Sequence, residues 1–194
     1  EAIDISIWRA PVDNDRKIIA EWISAGVNKT SKHVYSAEIT SSDKSHISIK
    51  VTYSLGSYSQ KPLLRGDLTW TVFGNGEISV HINSEVAKKL TYLPRFGLEL
   101  IMPEGNDSIE YFGYGPHESY VDKRRSTYKS RFCAMIDQLH EDYLMPQENG
   151  SHFGTEWMTV RDKLGRGLLF NTNNTFSFNA SHYTTQALYE AAHP

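Results

Sequence analysis

The segment Tyr111–Asp122 reads Tyr-Phe-Gly-Tyr-Gly-Pro-His-Glu-Ser-Tyr-Val-Asp and crowds aromatic rings, special-geometry residues and carboxylates together. Aromatic rings beside carboxylates suit a sugar, because the C–H faces of a sugar stack on rings while its hydroxyls need acceptors. Glu118 and Asp122 are the candidate acceptors. The same composition fits a packed connector between strands, since Gly-Pro-aromatic loops are commonly structural. Composition alone favours the connector, and the sugar site remains the alternative.

A second polar cluster, Trp8–Asp15, reads Trp-Arg-Ala-Pro-Val-Asp-Asn-Asp and could hold a polar ligand or an ion. It is not a calcium loop of the EF-hand type, because the required glycine and distal glutamate do not follow Asp15. The other interpretation is an Asx-type turn that caps the helix after Asp15. If any side chains of this chain approach a substrate, we expect them to be the substrate-binding candidates of this turn, which are Arg9, Asp13, Asn14 and Asp15.

A third cluster, Met145–Gly150, presents Gln147, Glu148 and Asn149 together. Its side chains could bind sugar hydroxyls bidentately or close a loop by bonding their own backbone. The eight histidines are dispersed without zinc-site spacing. Cys133, the single cysteine, stands among apolar residues, which predicts a buried packing residue rather than a nucleophile. We therefore assign no catalytic and no metal-ligating residue to this chain.

Composition limits the class of protein. The 194 residues include 39% hydrophobic and 22% charged residues with a net charge of −3, which is typical of an ordinary globular protein. Basic residues are scattered apart from the triplet at 123–125, which we interpret as solvated, so a nucleic-acid surface is not predicted. No membrane helix or signal peptide is evident, so we expect no membrane partner and a cytoplasmic location, with the periplasm as the alternative.

Alternating apolar residues predict that strands dominate. Asn75-Gly76 predicts a hairpin turn that pairs Gly66–Phe73 with Glu77–Val86. Further strands are predicted at Val34–Ser41, His46–Leu55, Gly97–Met102, Ile109–Tyr114, Glu156–Val160, Gly167–Asn171 and Thr175–Ala180, with a turn at Asp162–Arg166. Short helices are predicted at Lys17–Ala25, ending at Gly26, and at Thr184–Ala192, capped by Thr184. The expected class is all-β, a sandwich with one or two short helices.

Taken in order with Leu93-Pro-Arg-Phe-Gly97, the three clusters resemble the C-terminal domain of the large bacterial β-galactosidases of glycoside hydrolase family 2. The resemblance extends from Trp8 to His193. It implies an antiparallel β-supersandwich related to galactose mutarotase. It further implies that residues 1–194 form a single β-sandwich domain, a C-terminally truncated fragment of a larger multidomain enzyme.

The resemblance also implies a role in a retaining enzyme that hydrolyses terminal β-D-galactosides. In that family the catalytic glutamates and magnesium, with sodium as a second candidate ion, belong to a barrel domain of the same chain. The C-terminal domain packs on that barrel and forms part of the galactose-pocket rim. We therefore expect this piece to need no cofactor and to be inactive alone, and its parent to be a homo-oligomer.

This sequence departs from the family pattern in four places. The family's mobile loop is shortened between Asp15 and Trp22, Tyr114 stands where the family has Arg, and Ser119 stands where it has Asn. The family's galactose-stacking tryptophan lies beyond the region that matches Pro194. The alternative functions are a stand-alone carbohydrate-binding module and a mutarotase-like sugar epimerase.

Overall fold

The computed structural model describes residues 3–88 and 90–191. Within them the chain is mainly antiparallel β-structure, with strands β1 Ile3–Ser6, β2 Ser31–Ser42, β3 His46–Gly56, β4 Leu64–Phe73, β5 Ile78–Val86, β6 Gly97–Leu100, β7 Ser108–Gly115, β8 Tyr128–Met135, β9 His152–Arg161 and β10 Gly167–Phe178. The α-helices are α1 Ile19–Ala25 and α2 Thr185–Glu190. Short 3-10 helices lie at Asp13–Lys17, Val27–Lys29 and Ile136–Leu139. The predicted all-β class with one or two short helices is confirmed.

The chain divides into two compact units. The hairpin unit comprises the described residues of 13–96, and the motif unit comprises those of 1–12 and 97–194. That residues 1–194 form a single domain stays a prediction.

The sheet of the hairpin unit follows the chain, in the order β2-β3-β4-β5. Its last turn is the predicted one: the Phe73 N–H donates to the Glu77 carbonyl at 2.9 Å, and Gly76 has a φ of 90°. Asn75 supports the turn through its Oδ1, which accepts the Glu77 N–H at 3.0 Å. Only glycine adopts this φ at little cost, so the Asn-Gly pair sets the register of β4 against β5.

The two faces of this sheet differ in polarity. On one face Lys50 pairs with Asp67 at 3.0 Å and Thr52 donates to the same carboxylate at 2.8 Å. The other face is apolar, because alternation along each strand brings aliphatic and aromatic residues into cross-strand rows; one row is Ile39, Ile49, Trp70 and Val80. Part of this face is open to solvent, since Ile39 is 64% exposed and Ile78 is 56% exposed.

Helix α1 confirms most of the predicted helix at 17–25. Its Trp22 is fully buried and donates from Nε1 to the Tyr92 carbonyl at 3.1 Å, and Gly26 ends the helix with a φ of 77°. The interpretation of the Trp8–Asp15 turn as a cap on the following helix, α1, is wrong. The N-cap of α1 is Ile18, which makes no side-chain cap, because a 3-10 helix over Asp13–Lys17 intervenes.

The motif unit contains a sheet in the order β10-β9-β7-β8 and a separate β1–β6 pair. Strand β7 alternates strictly, so that Ile109 and Tyr111 are buried while Glu110 and Phe112 lie on the other, outer face. The buried face contributes to a core cluster of Ile109, Tyr111, Ile136, Leu139, Met158, Val160 and Phe178. This burial supplies the main stabilisation of the sheet.

Three sequence expectations for this unit need correction. Strands β1 and β8 were not predicted, and the two strands predicted around 167–180 form one irregular strand, β10. Cys133 is exposed on β8, because the outward positions of that strand alternate with the partly buried Phe132 and Ala134. The turn at Asp162–Arg166 is confirmed, with the Asp162 N–H donating to the Arg166 carbonyl at 2.8 Å.

Helix α2 confirms the second predicted helix. Thr184 caps it by accepting the Ala187 N–H at 3.1 Å. The predicted end at Ala192 lies outside the described residues.

Candidate functional site

Glu118 is the centre of a buried polar cluster in the motif unit. The residue is 6% exposed, and its Oε1 accepts hydrogen bonds from Lys123 Nζ, at 2.5 Å, and from the Tyr143 hydroxyl. Its Oε2 accepts the Gly150 N–H at 2.9 Å. The carboxylate thus ties the segment 118–123 to residues 143 and 150, which lie 25 and 32 positions from Glu118 in sequence.

The electrostatics of Glu118 follow from these contacts. Burial raises the pKa of the carboxyl, but the hydrogen bonds from Lys123, Tyr143 and the Gly150 N–H outweigh burial and hold the pKa below its ordinary value. The hydrogen bonds that Lys123 makes to Glu118 and to the Tyr143 hydroxyl raise the pKa of Lys123. Glu118 is therefore an ionised anchor whose oxygens already have donors, which does not suit a general acid or base.

Ser119 continues the connection to strand β9. Fully buried, it donates its N–H to the Ser151 carbonyl at 2.6 Å, and its Oγ accepts the Phe153 N–H at 2.9 Å. The Oγ also donates to the Tyr114 carbonyl at 3.3 Å. The segment first considered as a sugar site is thus bonded to its own protein, which supports the packed-connector interpretation.

The cluster at Met145–Gly150 is engaged in the same way. The Glu148 N–H donates to the Ala10 carbonyl at 3.3 Å, and Asn179 Nδ2 donates to Glu148 Oε1 at 2.9 Å and to the Asn149 carbonyl at 2.7 Å. These bonds support loop closure rather than sugar binding. We call the meeting of the three segments the motif junction; its members are Ala10, Glu118, Ser119, Lys123, Tyr143, Glu148, Asn149, Gly150 and Asn179.

His152, which sequence reasoning did not single out, lies beside the junction. It is 1% exposed, its Nδ1 lies 2.9 Å from the Tyr111 hydroxyl and 3.2 Å from the Tyr114 carbonyl, and its ring stacks on Phe178. Its buried Nε2 has no hydrogen-bond partner in the described part of the chain. Burial lowers the pKa of the imidazole, so the neutral ring belongs to the folded state. A lone histidine at the start of a strand carries no local pattern that would reveal this role.

Glu110 forms a second charged cluster, on the outer face of the same sheet. Arg131 Nε donates to its Oε1 at 2.5 Å, and Arg161 bonds to its Oε2. Burial raises the pKa of Glu110, but the two arginines outweigh burial and lower it. Since β8 and β9 flank β7, the carboxylate joins three neighbouring strands.

The predicted substrate-binding residues fall in different units. Arg9 is half-buried in the motif unit, between the buried Trp8 and Ala10. In the hairpin unit Asp13 is exposed and pairs with Arg16 at 3.1 Å, Asn14 is exposed, and Asp15 is buried. Their action as one site stays a prediction.

An open cleft of about 340 Å³ lies beside Glu118, lined by His117, Glu118, Lys123, Ser126, Glu141, Asp142 and Tyr143. Across residues 3–88 and 90–191, no three His, Cys, Asp or Glu side chains come together as possible metal ligands. Over the same range, no helix has the length and apolar character needed to cross a membrane.

Comparison with known proteins gives a consistent result. The family model described as beta galactosidase small chain matches residues 1–194. A β-galactosidase of Actinobacillus pleuropneumoniae is 38% identical over 193 residues, which cover 100% of this chain and 19% of the relative. Those of Staphylococcus xylosus and Streptococcus thermophilus are each 34% identical over 97% of this chain, covering 19% and 18% of their own lengths. The chain therefore spans about a fifth of the length of these curated relatives.

Proposed function

The chain belongs to the β-galactosidase small-chain family, and from that premise we propose that it is the C-terminal domain of a retaining β-galactosidase. The whole protein would hydrolyse terminal β-D-galactosides. The proposal is supported by the family match along the chain and by relatives that are themselves named β-galactosidases. The catalytic carboxylates and the magnesium ion would reside in a barrel domain of the same polypeptide, and this chain alone would be inactive.

One observation carries the proposed supporting role: the apolar face of the hairpin-unit sheet is partly open. Ile39, Val72 and Ile78 lie on this face and are exposed to solvent. The opposite face of the same strands already carries the polar residues. A contiguous exposed apolar patch marks an interaction site. We propose that this face packs against the catalytic barrel and so stabilises the active enzyme.

A matched pair of variants on strand β5 tests this role. Ile78→Lys places a charge on the apolar face, whereas Ser79→Lys places the same charge one residue further along the same exposed strand, on the opposite face. In the whole protein, we expect Ile78→Lys to lower the temperature at which galactosidase activity is lost and Ser79→Lys to leave it unchanged. Equal effects from the two variants would exclude this face as the docking surface.

The pocket-rim role is proposed for Arg9, Asp13, Asn14 and Asp15. Asp15→Ala in the whole enzyme is expected to lower kcat/KM for a nitrophenyl galactoside more than tenfold, about 1.4 kcal/mol. Asp137→Ala, at an exposed carboxylate of the motif unit, is the control. Unchanged kinetics in the Asp15 variant would show that Asp15 serves only the structure of its 3-10 helix and does not contribute to the galactose pocket. We also propose that the whole protein is a cytoplasmic homo-oligomer, with sodium as a second candidate ion beside magnesium.

A further inference from the structure

The hairpin formed by β9 and β10 contains an irregular excursion on the outer side of the motif unit. Asn171 pairs with Trp157, and the next paired residue of β10, Phe176, is opposite Thr155. Between these two pairs β10 advances by five residues while β9 advances by only two. The residues of β10 between Asn171 and Phe176 must therefore leave the hydrogen-bonded ladder. Thr172 Oγ1 closes the excursion locally by donating to the Asn174 carbonyl at 2.9 Å.

The excursion borders an open groove of about 720 Å³. The groove is lined by Glu156, Trp157, Leu169, Asn171, Thr172, Asn173, Asn174 and Thr175. We call it the outer groove. Its volume lies within the range of small-ligand sites, about 300–1,000 Å³.

Trp157 supplies the aromatic element of the outer groove. It is half-buried and lies in a cross-strand row between Asn171 on β10 and Phe112 on β7. These neighbours on both sides hold its position at the last regular pair before the excursion. A ring held in this way gives a ligand an apolar contact area at small conformational cost.

The asparagines of the excursion supply the polar element. Asn171, Asn173 and Asn174 are exposed, and no side-chain hydrogen bond joins their amides to the residues that the structure describes. Each amide offers donors and an acceptor side by side, which matches the vicinal hydroxyls of a sugar. The nearest charges are balanced, because Glu156 pairs with Lys129 at 2.6 Å. A neutral ligand is therefore favoured over an ionic one.

We propose that the outer groove binds a pyranose unit of a neutral oligosaccharide, with its C–H face on Trp157 and its hydroxyls on Asn173 and Asn174. Because none of the residues assigned to the galactose rim lines this groove, the site would be additional to that of the hydrolysed galactoside. It would hold saccharide on the enzyme without taking part in bond cleavage.

Fluorine NMR of the whole protein labelled with 5-fluorotryptophan tests the proposal, with Trp157→Phe identifying the Trp157 resonance. Maltotriose, cellotriose and β-1,4-galactotriose are the probes. We expect at least one to shift this resonance saturably at millimolar concentration. The double variant Asn173→Ala/Asn174→Ala should raise the Kd about tenfold, because it removes two neutral hydrogen bonds. Asn83→Ala, at an exposed amide of the hairpin unit, should leave the Kd unchanged.

The proposal is overturned if none of the three probes shifts the Trp157 resonance at tens of millimolar, or if the double variant binds as tightly as the unmodified protein. Hydrolysis of a nitrophenyl galactoside by the unmodified protein is measured separately. Its absence would refute the proposed function while leaving the groove result intact, so the two failures are distinguishable.

Discussion

The motif junction and the outer groove lie in the same unit and are both rich in polar side chains, yet the two use those side chains differently. At the junction, Glu118 accepts three hydrogen bonds and Ser119 makes three. In the groove, the amides of Asn173 and Asn174 are exposed to solvent. Polar groups that are already bonded inside a protein stabilise it, whereas open ones beside an aromatic ring can recognise a ligand. The most distinctive sequence motif of the chain is therefore the structural one.

The largest expected effect comes from removing the carboxylate at the junction. Glu118→Ala leaves the buried Gly150 N–H without its acceptor and removes two charge-assisted hydrogen bonds. We expect the free energy of unfolding to fall by about 3 kcal/mol, measured by urea titration with circular dichroism.

The control for this variant is Glu156→Ala, which removes the carboxylate of the exposed pair with Lys129 beside the outer groove. Exposed pairs contribute about 1 kcal/mol or less. If the two variants lose the same stability, Glu118 is not the anchor that its contacts indicate.

A pair of glycines, one at the motif junction and one in an exposed turn, compares the two regions through the backbone. Gly150 has a φ of 67°, and a Cβ there would lie 2.4 Å from the Leu139 carbonyl oxygen. Gly165, in the exposed β9–β10 turn, has a φ of 79° and open space around it. We expect Gly150→Ala to cost about 2 to 3 kcal/mol of unfolding free energy, and Gly165→Ala about 1 kcal/mol, from the positive φ alone. If Gly165→Ala lowers the free energy of unfolding at least as much as Gly150→Ala, the close packing described around Gly150 is wrong.

His152 predicts how the stability of the motif unit depends on pH. Burial lowers the pKa of its imidazole in the folded state from the ordinary value of 6.5. The unfolded chain therefore binds the proton first, so the contribution of His152 is fully present above about pH 6.5 and is lost as the pH falls towards the folded pKa. Because a single proton is involved, the free energy of unfolding can change by no more than about 1.4 kcal/mol per pH unit.

The measurement is urea unfolding between neutral pH and pH 5, above the ordinary pKa of 4.5 of the carboxyl at Glu118. His152→Gln removes the titrating group and should flatten the pH dependence in this window. If the free energy of unfolding of the variant depends on pH as steeply as that of the unmodified protein, a group other than His152 causes the pH dependence.

The two sheets also differ in how far the sequence predicted them. In the hairpin unit, the Asn75-Gly76 turn and the alternation along β3 and β4 are local features, so the strands and the pairing of β4 with β5 could be predicted. In the motif unit, β8 follows a charged loop and pairs with β7 across a long connection. Its stability depends on non-local contacts, such as those of Arg131 with Glu110, which a single sequence does not reveal.

The site was predictable only in part for the same reason. The segments 111–122 and 145–150 could be singled out by composition, but their meeting through Glu118 and Gly150 required the folded chain. Tyr143 and His152 lie in stretches without a motif, so nothing in the sequence indicated their roles. Lys123 was expected to be solvated; its side chain is 56% exposed and yet bonds to the buried Glu118.

The smallest effect is expected at Cys133, on the outer face of β8. This residue is cross-strand from Glu110, and the partly buried Phe132 and Ala134 on either side belong to the opposite face. Because its thiol is exposed, Cys133→Ser should change the free energy of unfolding by no more than about 0.5 kcal/mol. A thiol-reactive maleimide should label the folded chain nearly as fast as the urea-unfolded chain. Labelling only after unfolding would show that the outer face is covered, and would therefore also count against an open groove at Trp157.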